Sequence, residues 1–346
     1  MNSCDLIIAG AGLIGVSLAL ELRDQGARVL VLDRGEPGQE ASAAAAGMLA
    51  GAGFDTPPAL QPLARESARL FPEYVHKLEE LSGIKTDFRR HGTIAIGEDA
   101  ATAGVKPLSS DELSKREPFL QSLGRPSFFI QEDSVDPRLL MQAALAAAQR
   151  LGVEIRGRIE VKSFRSSNNG VEVETNSGTY RGAGAINCCG AWSGMPVRPR
   201  KGQMLYLQPG RNNLLNHMVH APEVYIVPRS TGKILAGATV EDVGFDKTVT
   251  PSAIEELHAA AARYLPELAS APIIESWAGL RPGTPDDLPI LGRTNIAGVF
   301  VASGHFRNGI LLAPVTAKVM AELITGNEPS LDISAFAPSR FAMVST

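Results

Sequence analysis

The fold is decided by residues 5–34, which read DLIIAGAGLIGVSLALELRDQGARVLVLDR. A short apolar run leads into a glycine motif at residues 10–15, a helical pattern follows over about residues 16–25, and a second apolar run ends at Asp33. Strand, glycine turn, helix, strand and acid in this order are the fingerprint of a dinucleotide-binding βαβ unit. The pattern predicts a diphosphate at the N-terminus of the helix, where free N–H groups and the helix dipole favour anions.

The glycines of the motif and the acid after it each have a distinct place in such a unit. Gly10 permits the tight turn, Gly12 lets the backbone approach a pyrophosphate, and Gly15 lets the helix pack closely on the strand. Asp33 can accept hydrogen bonds from both ribose hydroxyls and would repel a phosphorylated ribose, so an unphosphorylated adenosine is expected. The alternative is an ordinary βα turn, with Asp33 at a solvated strand end.

Length and charge exclude several classes of protein. The 346 residues suffice for two domains. A formal net charge of −4 gives no electrostatic case for binding nucleic acid or an anionic membrane surface. The apolar start lacks a basic leader and contains Asp5, which is typical of a strand and not of a signal peptide. No uncharged apolar run reaches the roughly 18 residues of a membrane span.

The three cysteines indicate a reducing, cytoplasmic setting. Cys4, Cys188 and Cys189 are too few for a disulfide framework, and no Cys/His spacing predicts a metal site. Cys188 and Cys189 adjoin in an apolar run, so on a strand their side chains would point to opposite faces.

A stretch rich in small residues, residues 40–53, follows the fingerprint. It contains Ser42 and four successive alanines at residues 43–46, followed by Gly47 and Met48. One interpretation is a flexible linker or an alanine-rich helix. The other is a wall of small residues against which a flat ring can lie, with backbone N–H groups near the edge of the ring. The residues alone leave both open.

The rest of the chain predicts an α/β (α+β) fold in which a Rossmann-like domain carries an inserted, mostly antiparallel domain. Strand, glycine turn and helix recur at both ends of the chain, which indicates a discontinuous cofactor domain. Predicted strands include residues 87–97, a four-stranded meander within residues 153–181, and residues 273–277. We assign residues 1–82, 136–195 and 285–346 to the cofactor-binding domain and residues 83–135 and 196–284 to the substrate domain.

The candidate chemistry lies in two runs, residues 279–284 (GLRPGT) and residues 305–311 (HFRNGIL), each with a lone arginine among glycines and apolar residues. Arg281 follows an apolar strand end, so we expect it to be partly buried, and no acid lies in register beside it. A guanidinium binds a carboxylate through two parallel hydrogen bonds. The expected partner of Arg281 is therefore either a substrate carboxylate or a distant Asp or Glu in a structural salt bridge.

Two further side chains admit two interpretations each. His305 could serve as a base, although a turn histidine before a helix is more often structural. Tyr225 either places its hydroxyl over a pocket or satisfies it within the core. No Ser/His/Asp or Cys/His arrangement follows from the spacing, so a nucleophilic hydrolase has no support.

The chain resembles the glycine oxidase (ThiO) branch of the D-amino-acid oxidase and sarcosine oxidase superfamily over almost its full length. The motifs that carry the resemblance are residues 45–49 (AAGML), 225–229 (YIVPR), 277–284 (WAGLRPGT) and 304–314 (GHFRNGILLAP). The resemblance implies that the dinucleotide is FAD, whereas the fingerprint alone indicates only an adenine dinucleotide.

Residue roles follow from the resemblance position by position. Together with the fingerprint, it assigns the cofactor site to Gly10, Gly12, Leu13, Ile14, Gly15, Asp33, Arg34, Ser42, Ala46, Gly47, Met48, Val161, His305, Phe306, Arg307, Asn308, Gly309, Ile310 and Leu311. It implies that Arg281 clamps the substrate carboxylate, that Tyr225 hydrogen-bonds to it, and that Arg307 and Met48 border the substrate. The last helix would direct its N-terminus at the flavin pyrimidine edge and stabilise negative charge there. No side chain is assigned as a catalytic acid or base.

The sequence departs from the pattern of the branch at a few positions. Glu223 stands where a relative has a histidine lining the pocket, and Val240 replaces a methionine. These changes concern the preferred amine more than the reaction. Sarcosine oxidases that hold FAD covalently have a cysteine near the arginine-bearing loop, but residues 284–286 (TPD) contain none. A non-covalent flavin is therefore expected.

The implied reaction is FAD-dependent oxidative deamination of glycine or another small amine, such as sarcosine or D-alanine, by hydride transfer to flavin N5. It would give an imine, then glyoxylate and ammonia, with hydrogen peroxide formed from O2. By the same resemblance the imine would feed thiazole formation in thiamine biosynthesis through hand-off to a thiazole synthase, and a homo-oligomer is compatible with it. The alternatives are a D-amino-acid dehydrogenase with another electron acceptor, a flavin-binding subunit without chemistry, and an NAD-dependent dehydrogenase.

Overall fold

The computed structural model describes residues 4–50, 56–98 and 104–341. Within these residues the helices are α1 (Leu13–Asp24), α2 (Ala41–Ala44), α3 (Gln61–Ser82), α4 (Ser110–Arg116), α5 (Pro137–Arg150), α6 (Pro251–Tyr264) and α7 (Ala313–Ile324). The strands are β1 (Leu6–Ala9), β2 (Val29–Leu32), β3 (Met48–Leu49), β4 (Thr93–Ile96), β5 (Ser127–Ile130), β6 (Asp133–Ser134), β7 (Glu154–Arg156), β8 (Val161–Ser167), β9 (Gly170–Thr175), β10 (Gly178–Gly182), β11 (Gly184–Asn187), β12 (Arg198–Leu207), β13 (Met218–His220), β14 (Tyr225–Pro228), β15 (Ile234–Gly237), β16 (Ile273–Gly283), β17 (Ile290–Arg293) and β18 (Val299–Ser303).

The first sheet is built around the fingerprint. Its strands lie in the order β17-β18-β11-β1-β2-β7, and all neighbours are parallel except β17 and β18, which are antiparallel. The predicted strand, helix and strand are β1, α1 and β2, and α1 begins at Leu13, directly after Gly12 and about one turn earlier than the hydrophobic pattern predicts. The predicted α/β class with a Rossmann-like sheet is confirmed.

The two faces of this sheet are covered by different elements, as successive residues of β1 show. Ile8 belongs to the core that α1, α3, α5 and α7 form on one face, and Ile7 to a smaller core shared with β8, β9 and β10 on the other. Both side chains are fully buried, because successive side chains of a strand point to opposite faces and both faces are covered. The carboxyl ends of β1 and β2 are left as the place where a ligand can bind.

The second sheet is mostly antiparallel, as predicted. Its strands lie in the order β16-β12-β15-β14-β13-β4-β5, and the neighbours are antiparallel except β13 and β4. On β12, Leu205 faces the core that includes α6, whereas Met204 and Tyr206 belong to a cluster on the opposite face. The chosen boundaries of the two domains stay a prediction.

Three predicted strands differ from the structure in partner or extent. Residues 153–155 do not form the first strand of the meander. After α5 the chain returns to the first sheet, where β7 runs parallel to β2. The meander consists of β8, β9 and β10. The strand predicted to end at Trp277 continues to Gly283, since β12 pairs with it along this length. The strand predicted over residues 87–97 is limited to β4, since Asp87 and Gly92 have φ of 53° and 79°.

In the described chain, no helix combines the length and the apolar character that crossing a bilayer requires. The end of the small-residue stretch, residues 51–53, lies outside the described residues.

Candidate active site

A cavity of about 490 Å³ is lined by residues of both sheets. Among the residues predicted from the sequence, those that line it are Gly10, Gly12, Leu13, Ile14, Asp33, Arg34, Ser42, Ala46, Gly47, Met48, Val161, Tyr225, Arg281, His305, Phe306, Arg307, Asn308, Gly309 and Ile310. Gly15 and Leu311 do not line it. The cavity therefore brings residues of the fingerprint and the two arginine-bearing runs together.

The glycine motif is required by close contacts between backbones. Gly10 has φ of 104°, and a Cβ on it would be 2.3 Å from the carbonyl oxygen of Cys188 on the neighbouring strand end. A Cβ on Gly15 would be 2.0 Å from the carbonyl oxygen of Gly10. Gly15 thus allows α1 to approach the turn that follows β1, although it lies outside the cavity wall.

Asp33 and Ser42 hold the polar edge of the cavity beside this turn. The two carboxylate oxygens of Asp33 accept hydrogen bonds from the backbone N–H groups of Ala11 (2.7 Å) and Gly35 (2.8 Å). The hydroxyl of Ser42 accepts a hydrogen bond from the N–H of Leu13 at 2.9 Å, at the first turn of α1. These contacts fix the Asp33 carboxylate at the carboxyl end of β2, and each oxygen keeps lone pairs for a ligand hydroxyl.

The small-residue stretch is helical at its start and lines the cavity at its end, and its role as a wall for a flat ring stays a prediction. Residues 41–44 form the short helix α2, and Ala44, Ala45 and Ala46 line the cavity. The stretch is held from the second sheet, because Trp277 Nε1 donates to the carbonyl oxygen of Ala44 at 3.1 Å and Arg229 Nη2 donates to that of Ala46 at 2.6 Å. Arg229 is 5% exposed, and its supporting role was not predicted from the sequence.

Trp192 is another cavity residue that was not predicted as part of the site. Its ring lies under the guanidinium of Arg34, with Cζ 3.9 Å from the ring centroid, and stacks on Phe245 at 5.3 Å between centroids. Phe245 lies in the exposed loop between β15 and α6, so the loop covers Trp192 from outside. The sequence does contain a signal for Trp192. This residue follows the glycine turn after β11, and ligands bind at the carboxyl ends of strands in a parallel sheet.

Arg281 lies on β16 in the wall that the second sheet contributes. Its Nη1 donates to the carbonyl oxygens of Thr239 at 3.0 Å and Lys201 at 3.4 Å. No carboxylate pairs with it among residues 4–50, 56–98 and 104–341, so the distant salt bridge considered above is not formed there. A guanidinium held by carbonyl oxygens on a cavity wall keeps donors for an incoming carboxylate.

Tyr225 lies beside Arg281 on the same wall. Its hydroxyl contacts the sulfur of Met204 at 3.3 Å. Burial raises the pKa of Tyr225 above its ordinary value, and the nearby positive charge of Arg281 opposes this rise without cancelling it. The hydroxyl therefore stays protonated at neutral pH, and its one proton, now donated to the weak acceptor Met204 Sδ, can turn to a stronger acceptor in the cavity.

Glu223 has structural partners that the sequence analysis did not predict. Both carboxylate oxygens bind Arg125, at 2.9 and 3.1 Å, and one also accepts a hydrogen bond from the hydroxyl of Tyr264 at 2.5 Å. The hydrogen bonds from Arg125 and then Tyr264 lower the pKa of Glu223 to about 2. Glu223 borders the cavity, but its charge is neutralised by Arg125.

The turn before α7 separates a structural histidine from an exposed arginine. His305 is 3% exposed, and its Nε2 lies 3.1 Å from Thr316 Oγ1. Burial lowers the pKa of His305 to about 3, so the ring is neutral and held inside the fold. Arg307 is exposed at the cavity rim, with its guanidinium 5.1 Å from the centroid of the Phe306 ring. These positions favour the structural interpretation of His305 over a base.

Comparison with known proteins identifies the family. The family described as "FAD dependent oxidoreductase" matches residues 5–323. The chain belongs to this family. FAD is therefore its cofactor, and the resemblance to the glycine oxidase branch is confirmed by relatives that match at 31–37% identity over nearly the whole chain.

Three similar proteins are informative. A glycine oxidase of Pseudomonas aeruginosa is 34% identical, over 96% of this chain and 98% of its own length. The "Bifunctional protein ThiO/ThiG" of Trichormus variabilis is 37% identical over 97% of this chain, which spans only 55% of that longer protein. The crystal structure of the glycine oxidase from Geobacillus kaustophilus superposes with a TM-score of 0.94, at 32% identity, covering 98% of this chain and 99% of that one.

The residues around the cavity fit FAD. The cavity connects the fingerprint, where α1 presents its N-terminus and Asp33 its carboxylate, with the wall that carries Arg281. Its volume of about 490 Å³ is within the roughly 300–1,000 Å³ of cofactor and ligand sites. This wall carries small residues where α2 meets β16: Ala44 and Gly279 both line the cavity, and they pack so closely that a Cβ on Gly279 would be 2.5 Å from the Cβ of Ala44.

Proposed function

We propose that this protein catalyses the FAD-dependent oxidative deamination of glycine or another small amine, such as sarcosine or D-alanine. The products would be glyoxylate or the corresponding oxo acid, ammonia or the corresponding amine, and hydrogen peroxide formed from O2. The observation that carries the proposal is Arg281, a cavity-wall guanidinium that no carboxylate of the described chain neutralises. The glycine oxidases among its relatives support the same assignment.

In this proposal Arg281 and Tyr225 bind and orient the substrate. The Arg281 donors that are not used by Thr239 and Lys201 hold the substrate carboxylate, and the protonated Tyr225 hydroxyl donates to it. Met48 and Arg307, which line the same cavity, border the amine and the entrance. Such orientation of a reactant is worth up to about 7–11 kcal/mol of the barrier in well-arranged cases.

The cofactor would be held by the fingerprint, the small-residue wall and the turn before α7. The N-terminus of α1 receives the diphosphate, Asp33 the ribose, and residues 305–310 the flavin. Bound FAD supplies the two-electron oxidation of the substrate C–N bond. We propose that it is held non-covalently, since burial raises the pKa of Cys189 to about 12 and also raises that of Cys188, so both cavity cysteines are unreactive thiols.

No side chain of the described chain is assigned as the base, and the proposed reaction does not require one. His305 is neutral and bonded to Thr316, and Glu223 is occupied by Arg125. The substrate amine must be in its neutral form, and solvent can accept the proton that the ammonium group loses. The proposed role of the chain is therefore to bind and orient the amine.

We further propose that the product enters thiazole formation in thiamine biosynthesis. The support is the similarity to proteins named ThiO/ThiG, whose length beyond the matched part leaves room for a second activity. A hand-off to a separate thiazole synthase and a homo-oligomeric state are further parts of this proposal.

The proposal is tested by anaerobic titration of the FAD-loaded protein with glycine, sarcosine and D-alanine, followed by admission of air. Bleaching of the flavin band, with fast recovery and one peroxide per turnover, is the expected result. Bleaching with slow recovery would favour a dehydrogenase that uses another electron acceptor, and no bleaching by any amine would refute the proposal.

The matched variant is Arg281→Ala. It should retain FAD and raise the KM for glycine, because a hydrogen bond between charged groups contributes about 1.5–3 kcal/mol. Unchanged glycine kinetics in this variant would show that Arg281 does not bind the substrate carboxylate.

A further inference from the structure

A polar cluster around a buried lysine lies behind Arg281, on the face of the second sheet that is turned away from the cavity. It consists of Lys201 and Gln203 on β12, Thr239 and Glu241 in the loop after β15, and Thr250 before α6. Neither Lys201 nor Glu241 lines the cavity. The cluster is thus separate from the residues that contact substrate or cofactor.

The centre of the cluster is an ion pair. Lys201 Nζ lies 3.2 Å from Glu241 Oε2, and the Lys201 side chain is 2% exposed. The other oxygen, Oε1, accepts hydrogen bonds from Gln203 Nε2 at 2.8 Å and from the hydroxyl of Thr239 at 2.5 Å. A charged lysine at this depth needs such a fully bonded partner, because an unpaired buried charge is strongly destabilising.

The cluster fixes the backbone of the loop as well as its side chains. The N–H groups of Lys201 and Glu241 donate to each other's carbonyl oxygens at 3.0 and 2.9 Å. The N–H of Gln203 donates to the Thr239 hydroxyl at 2.9 Å, and the N–H of Thr250 donates to Gln203 Oε1 at 2.7 Å. The loop is therefore tied to β12 at Thr239, Glu241 and Thr250.

The two carbonyl oxygens that hold Arg281 belong to this cluster. Arg281 Nη1 donates to the carbonyl oxygens of Thr239 and Lys201, at 3.0 and 3.4 Å. Each carbonyl is positioned by the residue that carries it, and the side chains of both residues bind Glu241. The guanidinium thus takes its position from an ion pair on the opposite side of the sheet.

We infer that Lys201 and Glu241 are positioning residues, which set the Arg281 guanidinium for the substrate carboxylate through the carbonyl oxygens of Thr239 and Lys201. This inference rests on the proposed function, since Arg281 is taken as the carboxylate clamp. It assigns to the ion pair a role in affinity for small carboxylates, distinct from its contribution to folding. Oxidation of the bound amine should depend on the pair much less than binding does.

The first variant is Lys201→Met, which removes the buried charge, keeps much of the aliphatic stem and leaves Glu241, a partly exposed residue, free to meet solvent. The second is Glu241→Gln, which keeps the shape of the side chain but leaves Lys201 unpaired. The matched control is Asp242→Asn. Asp242 is the next residue of the same loop, and its exposed carboxylate binds only Arg200 in the described chain, at 3.3 Å.

The experiment is a titration of the FAD-loaded protein with acetate, followed by the flavin absorbance, together with glycine kinetics. Both variants should raise the Kd for acetate and the KM for glycine by the same factor of about five. The kcat and the FAD content should change less than about twofold, since the pair does not touch the reacting atoms. Asp242→Asn should behave as the parent protein, and Glu241→Asp should recover part of the acetate affinity.

A double-mutant cycle separates positioning from general loss of structure. In the Arg281→Ala background, Lys201→Met should no longer change kcat/KM for glycine, because the residue through which it acts is missing. If Lys201→Met lowers kcat/KM by the same factor in both backgrounds, the inference is overturned. It is also overturned if both single variants bind acetate as the parent does. If Lys201→Met does not fold, the same cycle is measured with Glu241→Gln, and the same two outcomes support or overturn the inference.

The acetate titration requires no turnover, so the two proposals fail separately. A parent protein that binds acetate through Arg281 but is not reduced by any amine would refute the proposed reaction and leave the positioning role to be decided by the variants. A parent protein that does not bind acetate would overturn the positioning role, since there would be no clamp to position, and the proposed reaction would still be decided by the anaerobic titration with amines.

Discussion

The guanidinium of Arg281 occupies the space that Gly202 leaves on the neighbouring strand. A Cβ on residue 202 would be 2.1 Å from Arg281 Nη1 and 2.4 Å from both Cζ and Nη2. The φ of Gly202 does not lie in the left-handed region, so its own backbone does not demand glycine. The glycine is required by the side chain of another strand, and the position of the clamp is therefore encoded on β12 as well as on β16.

Gly202→Ala should displace the guanidinium and weaken carboxylate binding. We expect the KM for glycine to rise about tenfold or more, because a shift of this size breaks hydrogen bonds between charged groups, while FAD stays bound. Gly210→Ala is the matched control, since no atom lies within 4 Å of its Cβ position. The measurement is steady-state kinetics with glycine, together with the flavin content of each protein. A Gly202→Ala protein with the parental KM would contradict this account of the clamp.

Glu223→Gln should leave the preference among amines unchanged. The carboxylate of Glu223 is bound by Arg125 and Tyr264, so it does not select the ligand. The relative kcat/KM values for glycine, sarcosine and D-alanine are the measurement. Thermal unfolding should show a small loss of stability, because the pair with Arg125 is solvent-exposed. A change in the order of the three substrates would mean that Glu223 contacts the ligand after all.

Asp33→Asn should lower the affinity for FAD. An amide has only one acceptor oxygen, so its NH2 group would face the N–H of Ala11 or of Gly35, which now donate to the two carboxylate oxygens. We expect a Kd for FAD that is higher by about 10- to 100-fold, measured by titrating the apoprotein with FAD. Glu36→Gln is the control, because Glu36 lies close by but forms an exposed pair with Arg158. Equal FAD affinity in both variants would contradict the role of Asp33.

The features predicted from the sequence were those set by local pattern. The fingerprint gave β1, α1 and β2, because a glycine turn between apolar runs has few alternative structures. The partial burial of Arg281 was predicted from its apolar neighbours, while its partner was left open. These signals lie within a few residues of one another in the chain.

The features that the sequence did not predict depend on contacts between distant segments. Glu223 meets Arg125 across 98 residues, and Arg229 reaches the carbonyl oxygen of Ala46 across 183. The extension of β16 past Trp277 follows from its pairing with β12, which a sequence pattern does not contain. The ion pair of Lys201 and Glu241 is likewise formed only when the loop after β15 returns to β12.

Two histidines, the buried His305 and the half-buried His91, should make the protein less stable in mild acid. Burial lowers the pKa of His305 to about 3 and that of His91 to about 4, from an ordinary value of 6.5. Both stay neutral in the folded state below pH 6.5 while the unfolded chain takes up protons. Stability is therefore fully present above pH 6.5 and is lost as the pH falls towards the folded-state pKa values.

His305→Gln should reduce this dependence on pH. Between about pH 7.5 and about pH 5.5, the fully buried His305 should account for a loss of roughly 1.4 kcal/mol in the free energy of unfolding, which a glutamine cannot contribute. Urea unfolding at a fixed excess of FAD measures the difference, and the variant should lose that much less than the parent over the same range. His258→Gln is the control, because His258 is only partly buried and contacts a carbonyl oxygen next to α6. An equal loss in parent and His305→Gln would show that the pKa of His305 is not lowered in the folded protein, and a charged ring at the turn before α7 would then return as a candidate for chemistry.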